Sequence, residues 1–374
     1  MPFWTSFRFA GCYAVNQIRH FAGHLGSYWT KGRPVTIEPI DAYHETNPAL
    51  PTVVVLATGG TIAGAGSIGK ATNYRPGQLD VNALVGMAEG AHDIANVRAV
   101  QICNVNSDDI TAEHWIALAR AIDEMAAEPD IDGFVITHGT DTLDETAYFL
   151  NLVVKTDKPV VLTGAMRPAT ATSPDGPMNL LQSIALAGSP QACGRGVMVV
   201  FSDGIFGGRD VRKISTFQTD AFSASDFGCM GYMIDGEPHF YNASSKAHTT
   251  TTEFEVESID ELPKVAVAYF AIDADPALLD FLVESGARGI VIAGAGSGCY
   301  SKAWNEHIVA LKDTDVPVVR SSRIGAGMIT HDDAYQGNLV RSNDLAPQKA
   351  AVLLRLALTR TNDPTEIQAM FDRY

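Results

Sequence analysis

Four polar clusters hold the side chains from which a reactive site could be built. In Thr58-Gly59-Gly60-Thr61 a hydroxyl stands just beyond two glycines, with backbone N–H groups close by. His138-Gly139-Thr140-Asp141-Thr142 sets a carboxylate beside a hydroxyl, and Ala165-Met166-Arg167 and Asp203-Gly204 complete the set. The set is rich in hydroxyls and poor in cations, whereas a nucleotide site would want more positive charge or a P-loop lysine. A nucleophilic hydroxyl needs a base or a proton relay. Lys213, in Gly208-Arg209-Asp210-Val211-Arg212-Lys213, supplies one if desolvation lowers its pKa. Each residue also has a plainer reading. Thr61 and Asp141 are types that start helices, and a lysine is ordinarily a solvated surface residue.

Other patterns carry less. Gly64-Ala65-Gly66-Ser67-Ile68-Gly69 fits the letters of the dinucleotide fingerprint, which requires its first glycine at a strand end, opening a helix. The preceding apolar run stops near Ala57, and Asn73-Tyr74-Arg75-Pro76-Gly77 opposes a helix where one is needed. The segment reads as a flexible loop. Gly294-Ala295-Gly296-Ser297-Gly298 reads as a strand-to-loop turn, with a site lining as the alternative. The cysteines, at 12, 103, 193, 229 and 299, include no Cys-x-x-Cys and read as buried thiols. His20 and His24 have no third ligand nearby, so no metal site is expected.

The elements that must position these clusters follow from apolar runs. Thr52–Ala57, Gly133–Thr137, Pro159–Thr163 and Gly196–Phe201 are near-continuously apolar, as strands buried on both faces of a parallel sheet are. Helical spacing lies between them, over Thr111–Ala127, Leu143–Leu152 and Met178–Ala187. The alternation resumes with strands at Val265–Phe270, Gly289–Ala293 and Val316–Ser321 and helices at Pro276–Ser285 and Gln348–Thr359. The fold class is α/β, with two α/β domains. A larger N-terminal domain, mainly parallel sheet with flanking helices, is expected over 48–245. A polar linker covers 246–263, and a smaller C-terminal α/β domain covers 264–374. Ligands of open α/β sheets bind beyond the carboxyl ends of the strands, where the polar clusters fall.

Length and composition set outer bounds. The chain has 374 residues, 27 Lys+Arg against 43 Asp+Glu, and a net charge of −16. At 46% hydrophobic and 19% charged it is too apolar for a disordered chain. The acidic total, with no basic stretch, argues against a nucleic-acid partner. No stretch approaches the ~18 apolar residues of a membrane span. Residues 1–47 read as a poorly ordered extension, with a degenerate export signal as the alternative. Phe9–Val15 is at the short edge of the roughly 7–15 residues of a signal core, and no clean cleavage site follows.

Two of the clusters are also family signatures. Ala57-Thr58-Gly59-Gly60-Thr61-Ile62-Ala63-Gly64 and Ile136-Thr137-His138-Gly139-Thr140-Asp141-Thr142 resemble those of the bacterial-type L-asparaginases. Gly164-Ala165-Met166-Arg167-Pro168, Asp175-Gly176-Pro177-Met178-Asn179-Leu180, Gly208-Arg209-Asp210-Val211 and Pro347-Gln348-Lys349-Ala350 are similar to further blocks of that family. The resemblance runs from about Leu50 to Tyr374 and is greatest to the type II, asparaginase/glutaminase branch. It implies hydrolysis of L-asparagine to L-aspartate and ammonia through an acyl-enzyme, with some activity on L-glutamine and no metal or cofactor. Thr61 would be the nucleophile, assisted by Tyr74 on a mobile lid. Thr140, Asp141 and Lys213 would form a second group that relays the proton or activates water. Ser107 and Asp108 would bind the α-carboxylate and α-amino ends, with Asp141 also on the amine. The Ala165 carbonyl would hold the side-chain amide, and backbone N–H groups around Gly60, Gly139 and Thr140 would stabilise the oxyanion. The family implies a homotetramer built from dimers with shared sites. The branch favours export, while the N-terminus gives export no support.

Three positions depart from the family pattern. Asp108 is shorter than the family's Gln or Glu. The loop around His331-Asp332-Asp333 differs in length, so Asp332 or Asp333 only weakly matches the acid that a neighbouring subunit contributes. Asp273 falls near a position where the partner offers Asn or Ser. Two rival readings are a glutaminase-first enzyme and a non-catalytic amino-acid-binding protein on the same scaffold.

Overall fold

The computed structural model describes residues 46–66, 69, 74–75, 81–335 and 339–374, with short strand segments at 29–30, 33–34 and 38–40. The fold grows around one strand. Val53–Ala57 are all buried, and alternate side chains leave opposite faces of β2 (Thr52–Gly59). Val54 and Leu56 enter a core with Trp115, Leu118 and Ile122 of α3 (Ala112–Ala126) and with α4 (Leu143–Val153). Val53, Val55 and Ala57 enter a second core on the other face, under α1 (Val81–Met87), α2 (Ala91–Ile94) and α5 (Gly176–Ala187). Each such aliphatic side chain contributes roughly 1.5–3 kcal/mol by leaving water, which is why runs apolar on both faces become central strands.

The remaining strands of the large sheet are β1 (Glu38–Ile40), β3 (Asn96–Val105), β4 (Gly133–Thr137), β5 (Val160–Thr163), β6 (Val197–Phe201), β7 (Gly204–Gly207), β8 (Gly231–Ile234) and β9 (Glu237–Phe240). They order as β9-β8-β7-β6-β5-β4-β2-β3-β1. The β3-β2-β4-β5-β6 centre is parallel, and β7, β8 and β9 form an antiparallel meander at one edge. At the other edge Pro39 of β1 stands opposite Val100. The extension expected over 1–47 thus adds an edge strand, where a proline without an N–H is tolerated. Most of that extension lies outside the described residues.

The second sheet is four-stranded and parallel, in the order β10 (Val265–Tyr269), β11 (Gly289–Gly294), β12 (Val318–Ser322) and β13 (Leu339–Arg341). Ala268, Ile290 and Ile292 pack on one face against α6 (Ala277–Glu284) and α7 (Lys302–Ala310). Val265, Val291 and Val319 pack on the other against α8 (Pro347–Ala357), in a core continuous with that around α3 and α4. Helix α9 (Pro364–Arg373) closes the chain. The fold is the two-domain α/β architecture expected, with a larger, mainly parallel sheet and a smaller C-terminal sheet. The segment between the sheets holds two short 3-10 turns, and Lys155 Nζ binds the carbonyls of Thr249 and Thr252 at 3.0 and 2.9 Å. Among the described residues no helix is long and apolar enough to cross a membrane.

Candidate active site

Strand order locates the site. The chain leaves β2 for β3 on one side and then crosses to β4 on the other. Such a reversal opens a crevice at the carboxyl ends of the strands. Three expected clusters follow those three strands. Thr61 opens a 3-10 turn after β2, Ser107 and Asp108 begin one after β3, and Gly139–Asp141 follow β4.

Backbone contact draws the clusters together. A Cβ on Gly60 would stand 2.4 Å from the Gly139 backbone, and Gly60 has a φ of 84°. A Cβ on Gly139 would stand 2.8 Å from Ser107 Cβ and Oγ. Only glycine permits this stacking of three loops. Thr142 Oγ1 donates to the Ser107 carbonyl at 2.7 Å, and Ser107 Oγ lies 3.3 Å from the Asp141 amide. Thr61 is buried. It is the first residue of its turn and Gly60 is the cap, so the helix-capping reading of Thr61 does not apply.

Lys213 completes the cluster. It lies in a two-strand ladder with Phe222–Ser223 and is only 16% exposed, not the solvated lysine of the plain reading. Its Nζ donates to Thr140 Oγ1 at 2.7 Å and to Asp141 Oδ1 at 2.6 Å. Thr142, not Asp141, holds the N-cap position of α4, so the Asp141 carboxylate serves Lys213 and not the helix. Asp141 and Asp108 are exposed, as a binder of a ligand ammonium requires.

The third wall is the Gly164–Arg167 loop. The Asp175 carboxylate accepts the Met166 and Arg167 amides, both at 2.9 Å, and Asn179 Nδ2 donates to the Gly164 carbonyl at 3.1 Å. These bonds fix the peptide of buried Ala165. Sequence reasoning gave no role to Asp175 or Asn179, although an Asp before Gly-Pro at a helix start was the available signal. His138 was noticed without a role. Its Nδ1 lies 2.7 Å from the Gly139 carbonyl, Nε2 lies 3.0 Å from Thr146 Oγ1, and Thr146 accepts Trp115 Nε1–H at 2.8 Å. Burial pushes the His138 pKa down to about 4, so the ring is neutral.

Not every candidate joins the cluster. Asp203 accepts from Gln182 Nε2 at 2.6 Å, and Arg167 Nη1 donates to Ser173. Asp332 accepts the Ala334 amide, Asp333 pairs with His331, and Asp273 sits on the small domain at a φ of 59°. Among the described residues none of these three hydrogen-bonds the Lys213 cluster. Tyr74 pairs through its backbone with Gly66, and its side chain lies outside the described residues, as do Ser67, Ile68 and Asn73. Gly294–Gly298 forms a turn closed by Ala295 and Cys299.

Comparison with known proteins identifies the family. The family model for the N-terminal asparaginase domain matches residues 52–246, and that for the glutaminase/asparaginase C-terminal domain matches 264–371. L-asparaginase 2 of Bacillus subtilis is 46% identical over 327 residues, 87% of both chains. The glutaminase-asparaginase of Acinetobacter glutaminasificans is 42% identical over 331 residues, 86% of this chain and 99% of that protein. The crystal structure of a probable cytoplasmic L-asparaginase from Campylobacter jejuni superposes with a TM-score of 0.84 at 44% identity, covering 87% of this chain and all of that one. With both domain models matched in order over most of its length, the chain belongs to the asparaginase family.

Proposed function

We propose that this protein hydrolyses L-asparagine to L-aspartate and ammonia through an acyl-enzyme on Thr61, with some activity on L-glutamine. The observation that carries the reading is the Thr140–Lys213–Asp141 group beside buried Thr61 at the strand-order reversal. The Thr61 hydroxyl adds to the amide carbon and loses its proton. The C–N bond breaks as that nitrogen gains a proton and leaves as ammonia. Water then cleaves the ester, restoring the hydroxyl and releasing the new carboxylate. Because Lys213 Nζ donates to Thr140 Oγ1, the Thr140 hydroxyl hydrogen stays available for a relay. Tyr74 assists Thr61. Asp108 and Asp141 hold the substrate ammonium, Ser107 the α-carboxylate, and the Ala165 carbonyl the amide N–H. Backbone N–H groups of Gly60, Gly139 and Thr140 face the oxyanion.

Ammonia release by wild type and Thr61→Ala tests this reading. The variant should fold and lose several orders of magnitude in kcat, on the scale of roughly 10⁶ for a removed nucleophile. Retained turnover removes Thr61 from the role. One methylene in a pocket gives roughly 10–200-fold discrimination. A preference for asparagine over glutamine well beyond that range refutes the glutaminase side activity.

The working unit is a homotetramer of two dimers with shared sites. Ile214 is 61% and Phe217 78% exposed just beyond Lys213, and Ile272 is 89% exposed beside Asp273. Apolar groups so placed suit an interface that brings a partner's small domain to the crevice. A fully active monomer in analytical ultracentrifugation refutes this part.

A further inference from the structure

A cleft of about 450 Å³ lies between the domains, and none of the Thr61, Ser107, Thr140, Asp141 or Lys213 side chains lines it. Its volume falls within the roughly 300–1,000 Å³ of small-molecule sites. Its floor is Val265, Ala351 and Val352, and Trp115 and Tyr269 form aromatic walls. Its charge runs against that of the chain. In a protein with sixteen more acidic than basic residues, Arg212, Arg323 and Arg355 converge here with one acid, Glu145. Burial and neighbouring Asp144 push the Glu145 carboxyl up to about 7, so it neutralises the arginines only in part.

The arginines are held with donors to spare. Arg212 Nη1 is anchored on the Gly325 carbonyl at 2.7 Å and Arg323 Nη1 on the Phe270 carbonyl at 2.9 Å. Each guanidinium carries five N–H donors, so one anchor orients the fork without using it up. Arg355 Nε is shielded from water and has no hydrogen-bond partner among the described residues. The Glu145 carboxyl, which feels the Arg355 charge, makes no hydrogen bond among the described residues. Native proteins rarely leave a buried N–H such as Arg355 Nε unmet, and a missing ligand is one reason for an exception. Forked guanidinium donors match carboxylate oxygens, and two to three uncompensated positive charges call for more than one carboxylate.

We propose that this interdomain cleft is a second, non-catalytic binding site for a small polycarboxylate anion, paired with Arg212, Arg323 and Arg355. Isothermal titration of the full-length protein with citrate tests it. The expected result is saturable uptake of one citrate per chain. Arg355→Gln should weaken it roughly tenfold or more. Val267→Trp, at a 45% exposed position on the cleft wall, should block it by filling space, with asparagine turnover within about twofold of wild type. Because Val267 is exposed, that variant stays informative if Arg355→Gln misfolds. Lys213→Met should leave citrate affinity unchanged. No saturable uptake by wild type overturns the proposal. So does uptake that survives both cleft variants, or uptake abolished by Lys213→Met, which would place the anion in the catalytic crevice.

Discussion

Acidification should destabilise this fold through His138, by an amount the structure sets. Nδ1 faces a carbonyl oxygen and must carry the ring hydrogen, so Nε2 must be the acceptor of the Thr146 hydroxyl. A second proton, on Nε2, would displace the Thr146 hydroxyl hydrogen that this nitrogen accepts, and burial disfavours its charge. The folded pKa of about 4 lies below the ordinary 6.5, so between these values the unfolded chain binds the proton and the native state does not. The stability this contributes is therefore complete above pH 6.5 and is lost as pH falls towards 4. The gap, at roughly 1.36 kcal/mol per pH unit, makes about 3 kcal/mol in all and about 2 kcal/mol by pH 5. Asp123 and Glu145, whose carboxyls burial pushes up to about 6 and about 7, act in the opposite direction and mask part of the loss. The quantity to read is thus the difference between wild type and His138→Gln in urea denaturation, at one protomer concentration, from pH 7.5 to 4.5. The variant starts lower, having lost a fitted donor and acceptor, and should lose less on acidification, so the two curves converge. Parallel curves through pH 6.5 to 4.5 would refute the neutral, fully buried imidazole.

Two further substitutions separate chemistry from stability. Lys213→Met should lower kcat by roughly 10²–10⁴-fold, the range of a lost proton-transfer group, while the urea midpoint hardly moves because its partner Asp141 stays solvated. Comparable activity in that variant would remove Lys213 from the relay. Arg209→Met should do the reverse. It strands Asp344 and Asp210 and frees the Tyr374 carbonyl, costing roughly 3–5 kcal/mol as a broken buried ion pair, so a midpoint within error of wild type would contradict a clamp between the domains.

What the sequence made legible follows from how completely each element is buried. Strands β2, β4, β5 and β6 announce themselves because both faces are covered. Strand β3 escaped notice because it is ten residues long and only partly covered, mixing Asn96, Arg98, Gln101 and Asn104 with its apolar side. The β7–β9 meander escaped for related reasons, since all three strands are only four residues long, β7 begins and ends on glycine, and β8 and β9 expose alternate residues. Helix α3 was readable from its helical spacing, and the structure shows how it starts. There His114 Nδ1 accepts the Thr111 amide at 3.1 Å and does what a glutamate would. The site clusters were legible because they are strand termini. Their assembly was legible only through family resemblance, since 73 residues separate Lys213 from Thr140 and no local periodicity encodes that contact.

The small domain acts on the crevice without reaching into it. Lys349 of α8 sits fully buried with Nζ on the carbonyls of Gly208, Arg209 and Val211, at 2.9, 2.7 and 2.6 Å. Three acceptors meet three ammonium donors, and that match offsets part of the cost of burying the charge. The carbonyls belong to the segment that ends at Lys213, so α8 sets the path of the chain just before the lysine that holds Thr140 and Asp141. Arg209 adds a second tie, its fork on Asp344 and its Nε on the Tyr374 carbonyl at 3.0 Å. A lysine inside the apolar run of α8 would count against that helix on pattern alone. Its acceptors explain it, for the residue is there to register one domain's backbone against the other's helix.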